Sequence, residues 1–355
     1  MAKEINILLP QKLTCMVYGS GPAIVLFHPS PNSSKMMEPL AMLLSDHYTV
    51  ICPDTPGYGK SEKLDEINPS IKDYVRQFKL LLQHLKIESC ALYGSATGAQ
   101  IAIRFGIEYP ESVSHLYLDN CAHFTDEERN SIKKNYFPDL SPDVDGTHLS
   151  RVWDIVYHLF KYFPWCFKDD DHKLDGPLPS AEVLHGIVLD YLKAGAAYHL
   201  AYSAAFDHEK AAYIQKLSVP TTIFRWEGSI LKKYTDRIFE YDLSNHIKGV
   251  MIPADRIARN SAMAAHIIEQ HNGESHYSAD DLEQKFQSVS EPFGSENDAT
   301  AITELPPPEA SGFYLKEAWN NIRKSLPVNS QMNAEQLAIQ IQKCLIFNYN
   351  HYYNS

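Results

Sequence analysis

The stretch Ala91-Leu92-Tyr93-Gly94-Ser95-Ala96-Thr97-Gly98-Ala99-Gln100 decides how the rest of the chain is read. Ser89 to Tyr93 has the apolar character of a buried strand, and Ile101, Ile103, Phe105 and Ile107 continue a largely apolar helix. Between them Gly94 and Gly98 bracket Ala96, and their missing Cβ atoms allow strand and helix to approach closely around a sharp turn. This is the outline of a nucleophile elbow, a turn that lifts one side chain above a sheet beside free backbone N–H groups. The slot for that side chain holds Ala96, whose methyl group can neither attack a carbonyl nor exchange a proton. Ser95 sits one position early and points elsewhere, toward a place in substrate binding at most. Taken alone, a glycine-bracketed turn fits the same letters, so the neighbouring segments must decide.

A chain of 355 residues, 44% hydrophobic and 21% charged, is globular and long enough for one large α/β domain with an inserted or appended piece. Its net charge of −12 opposes binding to nucleic acid or to anionic membrane surfaces. The expected partner is a small-molecule substrate, with no cofactor motif in view, and the charge says nothing of oligomeric state. Met1 to Lys12 holds an apolar run too short for a signal-peptide core, and no segment approaches the roughly 20 residues of a membrane span, so a cytoplasmic location is expected. The six cysteines lack C-x-x-C spacing, which indicates neither disulfides nor a metal site.

In chain order, Ala23 to Phe27 is a continuous apolar run suited to a central parallel strand, and it ends in His28-Pro29-Ser30-Pro31. Ser34 to His47 carries a helical stripe of Met36, Met37, Leu40, Leu43 and Leu44, after which Tyr48 to Cys52 returns as a strand. Asp54-Thr-Pro-Gly-Tyr-Gly-Lys-Ser61 is dense in turn residues, and Ile71 to Leu85 is a helix. After the elbow, Glu108-Tyr-Pro-Glu-Ser-Val113 leads into a strand over Ser114 to Asp119.

Residues 19 to 122 resemble the first half of the α/β-hydrolase fold: the His-Pro-Ser-Pro loop stands in place of H-G-x-P, and the D-x-P-G-x-G-x-S loop, the elbow and the strand at Asp119 follow in the family's order. The resemblance implies a mostly parallel central sheet flanked by helices with a helical cap. It divides the chain into 1–122 as the first half of the core, 123–217 as cap, 218–254 as the second half of the core, 255–325 as a helical and irregular insertion, and 326–355 as a C-terminal packing helix and tail. It also implies an oxyanion hole built from the N–H groups of Ser30 and Thr97.

The cap segment is rich in large rings and histidines. Trp153, Tyr157, His148 and His199 are its candidates for lining a substrate pocket, joined from the core by His28, Ser95 and Trp226. Two further expected groups are missing. The acid turn after the strand Val219 to Phe224 reads Trp226-Glu227-Gly228-Ser229, and the loop after Ile247 to Pro253 reads Ala254-Asp255-Arg256 where the family places Gly-His. Asp119 and Glu227 remain as candidate acids, and His271 and His276 as candidate bases delivered from the insertion. Three absent groups favour natural divergence over a serine-to-alanine knock-out, which leaves acid and histidine in place. The leading expectation is an enzyme that keeps pocket and oxyanion donors but abandons acyl-enzyme chemistry for cyclase, isomerase or lyase chemistry on a small, largely apolar molecule. A serine hydrolase inactivated at Ala96 and a ligand-binding pseudoenzyme are the alternatives.

Overall fold

Strands that are apolar along their whole length must be covered on both faces, and this requirement places the centre of the sheet. The computed structural model describes residues 2–270, 277–286, 305–326 and 332–354. The strands are β1 (Lys3–Leu8), β2 (Lys12–Tyr18), β3 (Ser20–Gly21), β4 (Ala23–Phe27), β5 (Thr49–Pro53), β6 (Cys90–Ser95), β7 (Val113–Asp119), β8 (Thr221–Trp226), β9 (Ile247–Ile252) and β10 (Tyr277–Ser278). Among the described residues eight of them form one sheet in the order β1-β2-β5-β4-β6-β7-β8-β9. The pairs β1/β2 and β2/β5 are antiparallel and all other neighbours parallel. Every residue of β4, β5 and β6 is buried, whereas the edge strands β1 and β9 keep exposed positions.

The helices are α1 (Glu38–Leu44), α2 (Ile71–Leu85), α3 (Thr97–Glu108), α4 (Asp126–Tyr136), α5 (Thr147–Leu159), α6 (Ala181–Ala194), α7 (His199–His208), α8 (Ala211–Ile214), α9 (Lys232–Asp236), α10 (Arg256–Glu269), α11 (Ala279–Phe286), α12 (Phe313–Ser325) and α13 (Ala334–Asn354). None is long and apolar enough to cross a membrane. One face of the sheet buries Leu40 and Leu44 of α1 and Met263 and Ile267 of α10 against Tyr93, Tyr117, Phe224 and Ile252. On α2, Phe78 packs its ring 4.6 Å from that of Phe27. The parallel register pairs Phe27 with Gly94, Ser95 with Asp119, and Asp119 with Phe224. The loops carrying His28, Ala96 and Asn120 therefore leave the sheet along one carboxyl edge, where ligands of open α/β sheets bind.

By internal packing the chain divides into two compact units, Met1–Ser131 with Tyr198–Ser290 and Ile132–Ala197 with Glu291–Ser355. In this division α7 and α8, expected within the 123–217 cap, fall in the unit that contains the sheet. The packing helix expected over 326–355 belongs to the second unit, where Gln342 Nε2 donates to Leu192 O at 2.7 Å and the Tyr349 ring lies 4.4 Å from that of His185. Its place against the sheet is taken by α10, whose Ile267 carbonyl accepts from the Tyr48 hydroxyl at 3.1 Å. Within the stretch 255–325, expected as a helical and irregular insertion, β10 pairs with β3 and Lys3 ion-pairs with Glu283 of α11 at 2.8 Å.

A Cβ at Gly98 would lie 2.2 Å from the Phe27 carbonyl oxygen, a backbone atom that cannot yield, whereas one at exposed Gly186 in α6 meets nothing within 4 Å. Gly98→Ala is expected to destabilise the fold by about 2–4 kcal/mol, and Gly186→Ala to stabilise it by about 0.5–1 kcal/mol through helix propensity alone. Urea unfolding of the two variants checks both signs.

Candidate active site

The turn between β6 and α3 is built by exclusion. A Cβ at Gly94 would meet the Gly98 carbonyl oxygen at 2.2 Å, so both glycines are needed for the helix to start this close to β4 and β6. Ala96 between them is forced to φ 49°, ψ −111°, a conformation that strains any residue with a Cβ. Its N–H donates to Asp119 O at 3.0 Å, and its carbonyl accepts from Gln100 N at 3.2 Å. The elbow geometry is thus present at a residue without a functional group. Thr97 opens α3, where the first N–H groups of a helix have no intrahelical acceptor. Among the described residues neither the Ser30 N–H nor the Thr97 N–H has an acceptor, and Thr97 Oγ1 is buried without a partner.

Asp119, wholly buried at the end of β7, is the hub of the polar network below the elbow. Its Oδ2 accepts from Tyr93 Oη at 3.0 Å, Ser95 Oγ at 2.9 Å, Asn120 Nδ2 at 3.0 Å, and Arg259 Nη2. Arg259 comes from the first turns of α10, and its guanidinium also lies over the Trp226 ring, 4.2 Å from its centre. Burial pulls the Arg259 pKa down, but the charge and hydrogen bond of Asp119 together with the Tyr93 phenol outweigh it and hold the guanidinium ionised. The Tyr93 phenol is pushed far above its ordinary range, first by burial and then by Asp119. Asn120, at φ 48°, extends the network: its Oδ1 accepts from Ser229 Oγ at 2.5 Å, and its Nδ2 reaches Ser95 Oγ at 3.2 Å. Ser229 and Asn120, at the ends of two neighbouring strands, are therefore bonded to each other.

These contacts relocate several residues singled out from the sequence. Asp119 takes an arginine as its partner, and among the described residues no histidine bonds to it. Glu227 is exposed, with its N–H on Ile252 O at 3.2 Å, which removes it from the site. His271 and His276 lie outside the described residues. His28 is fully buried, its Nδ1 donating to Pro29 O at 2.9 Å and its Nε2 accepting from Thr55 N at 2.9 Å; with both nitrogens spent and burial lowering its pKa, it is a neutral structural brace, not a substrate contact. Trp226 gives its indole N–H to Ala254 O at 3.0 Å and its face to Arg259. Ser95 faces Asp119. His148 and Trp153 are interior to the second unit, where His148 pairs with Asp143 and packs against Trp319, and Trp153 packs edge-on to Tyr314. Tyr157 is partly exposed with Lys161 over its ring, and His199 is partly exposed at the start of α7 beside Tyr198.

Three further groups carry no site signal in the local sequence: Arg259, largely buried, and His208 and Glu209, both buried. The signal for Arg259 is indirect, since a buried Asp119 with no histidine bonded to it among the described residues requires some other cation. His208 packs flat on Tyr213, with ring centres 4.0 Å apart, and bonds Gln100 Oε1 through Nδ1 at 3.0 Å; burial lowers its pKa to about 3, so it is neutral.

The sheet order, the glycine-forced elbow and the carboxyl-edge loops together decide the architecture. The chain has the α/β-hydrolase fold. Residues 22–144 match the family described as the alpha/beta hydrolase fold. The fluoroacetate dehalogenase of a Burkholderia species is 35% identical over 108 residues, which cover 29% of this chain and 36% of that enzyme. The 2-(acetamidomethylene)succinate hydrolase of Mesorhizobium japonicum is 34% identical over 95 residues, 27% of this chain and 34% of that enzyme. These matches span about a third of the length of the curated relatives. Among solved structures, epoxide hydrolase A from Mycobacterium thermoresistibile superposes with a TM-score of 0.60 at 16% identity, covering 77% of this chain and 99% of that one. The enol-lactonase from Burkholderia xenovorans LB400 gives 0.56 at 16% identity, covering 74% and 96%. Both likenesses carry the α/β-hydrolase fold and nothing finer.

Within that fold the Asp119–Arg259 pair has a definite signature. Arg259→Met strands a buried carboxylate and is expected to destabilise by about 3–5 kcal/mol, while the double variant Asp119→Asn/Arg259→Met recovers most of the loss. A double-mutant cycle by chemical denaturation measures the coupling.

Proposed function

We propose that this chain is an α/β-hydrolase-fold enzyme that acts on a small, largely apolar organic molecule without forming an acyl-enzyme, by chemistry of the cyclase, isomerase or lyase type. The carrying observation is the pairing of Asp119 with Arg259 beneath an elbow whose strained apex is Ala96. A serine hydrolase needs a carboxylate free to orient a histidine, and here that carboxylate already neutralises a buried cation. A knock-out made by exchanging one serine leaves the acid uncommitted, so the pair supports divergence of the whole constellation. What remains useful is the donor array. The Ser30 and Thr97 N–H groups, without protein acceptors, suit an enolate or alkoxide oxygen, and such stabilisation needs no nucleophile. Holding a reactive molecule in one conformation adds the entropic part of the rate.

The Ala96→Ser variant tests this reading. A serine without a base is a weak nucleophile, so negligible labelling by a fluorophosphonate probe is expected. Rapid stoichiometric labelling would establish that a histidine serves the elbow and would return the chain to the serine hydrolases, in which losing the nucleophile costs on the order of a million-fold in rate.

A further inference from the structure

We propose that α10 is held to the sheet by a pH-sensitive latch, formed by His115 of β7, Thr222 of β8 and His266 of α10, which opens in mild acid and loosens the helix that brings Arg259 to Asp119. The latch is independent of the chemistry proposed above.

Its parts converge on one atom. His115 Nε2 lies 3.0 Å from Thr222 Oγ1, and His266 Nε2 lies 3.3 Å from that same oxygen. A hydroxyl carries one proton, so it donates to one imidazole and accepts from the N–H of the other. The bridge is complete only while one of the two rings offers it a bare nitrogen. Aromatic neighbours hold both rings in place: His115 stacks on Tyr117 with centres 4.3 Å apart, and His266 meets Tyr117 and Phe224 edge-on at 6.4 Å and 5.7 Å. Thr222 is itself buried.

The position of the bridge ties it to the polar network below the elbow. One strand, β7, carries both His115 and Asp119, and one helix, α10, carries both His266 and Arg259. Roughly 13 Å of strand separates the first pair and roughly 10 Å of helix the second, so the spans match. About two helical turns lie between Arg259 and His266, which puts both on one face of α10. Strand and helix are therefore pinned at two points, by the ion pair at the carboxyl end of β7 and by the latch toward its amino end, and Met263 and Ile267 are buried on the same helix between and beside them.

Protonation undoes the bridge. When both rings are charged each presents an N–H to Oγ1, neither accepts the Thr222 proton, and two cations face each other across one atom. The surrounding groups set where this happens. On α10, Glu269 favours the charged form of His266; on β9, Lys248 pairs in register with Thr222 and is exposed; on β6, the neighbour of His115 is Ala91, which carries no charge. The Tyr117 face beneath His115 favours an imidazolium, but burial opposes it more strongly and His266 adds its own repulsion, so the His115 pKa falls to about 4. Burial lowers His266 as well, and Glu269 offsets it only in part. For a base whose folded pKa lies below its ordinary 6.5, the opened state binds the extra proton. The stabilisation is whole above about pH 6.5 and is lost as the pH falls toward 4.

Hydrogen exchange read by mass spectrometry on the whole protein tests the latch. Between about pH 7 and about pH 4.5, after correction for intrinsic exchange rates, the amides of residues 256–269 are expected to lose roughly tenfold or more of their protection, and those of β4 and β6 much less. His115→Asn and His266→Gln each leave a single titrating ring and are expected to remove most of that acid response; if one variant does not fold, the other decides. Protection of α10 that is indifferent to pH overturns the proposal. So does a loss shared equally by β4 and β6, which marks global unfolding driven by other buried histidines such as His28 and His208, and so does an acid response that survives unchanged in the variants.

Discussion

The helix α3 begins against the ends of β4 and β6 at a distance that backbone atoms alone can tolerate. A side chain at Gly98 would enter the Phe27 carbonyl, and one at Gly94 would enter the Gly98 carbonyl. That contact dictates the turn, and the turn dictates the conformation of Ala96, at about 1–3 kcal/mol for an alanine in this region. The strain persists without a reactive side chain because its causes lie in the neighbouring backbone, including the bond from Ala96 N to Asp119 O. What the turn delivers is independent of residue 96: it leaves the opening N–H groups of α3 unbonded at the carboxyl edge of the sheet.

A second constraint follows from burial of charge. A carboxylate with no access to water needs a counter-charge inside the protein, and Arg259 supplies it for Asp119. To do so, α10 must start within a few residues of β9. Asp255 caps it by accepting from Ile257 N at 3.0 Å and Ala258 N at 2.8 Å, and Trp226, anchored on Ala254 O, provides the surface on which the guanidinium lies. The loop after β9, where the resemblance expects Gly-His, leads directly into this helix start. The same helix also closes one face of the core through Met263 and Ile267, so the local change is tied to the stability of the sheet.

The sequence is most legible where one residue type answers one physical demand. The apolar runs at Ala23–Phe27 and Ile71–Leu85 fall on a strand and a helix with those same bounds, and the two glycines of the elbow follow from sterics. Legibility fails where the cause is a partner far along the chain. Asp119 and Arg259 are 140 residues apart, and no local pattern links them. Helices of the two units look alike in sequence, so the assignment of α7 to the sheet and of α13 to the second unit depends on packing alone. Lys3–Leu8 pairs with Lys12–Tyr18 through alternation too short to stand out from a tail. His28 read as a ligand because its loop lies at the right edge, but its two hydrogen bonds are decided by the fold of Pro29 and Thr55 around it.

On the proposed reading, these constraints limit the direction from which a proton can reach the site. In the hydrolase arrangement it arrives through the loop after the last strand; here that path is filled by Arg259, a cation that does not release protons at any physiological pH. The neighbouring acid turn holds Ser229, locked to Asn120. On the proposed reading, the Asp119–Arg259 pair stands where a triad needs a free acid, around the same glycine-forced backbone that an elbow requires.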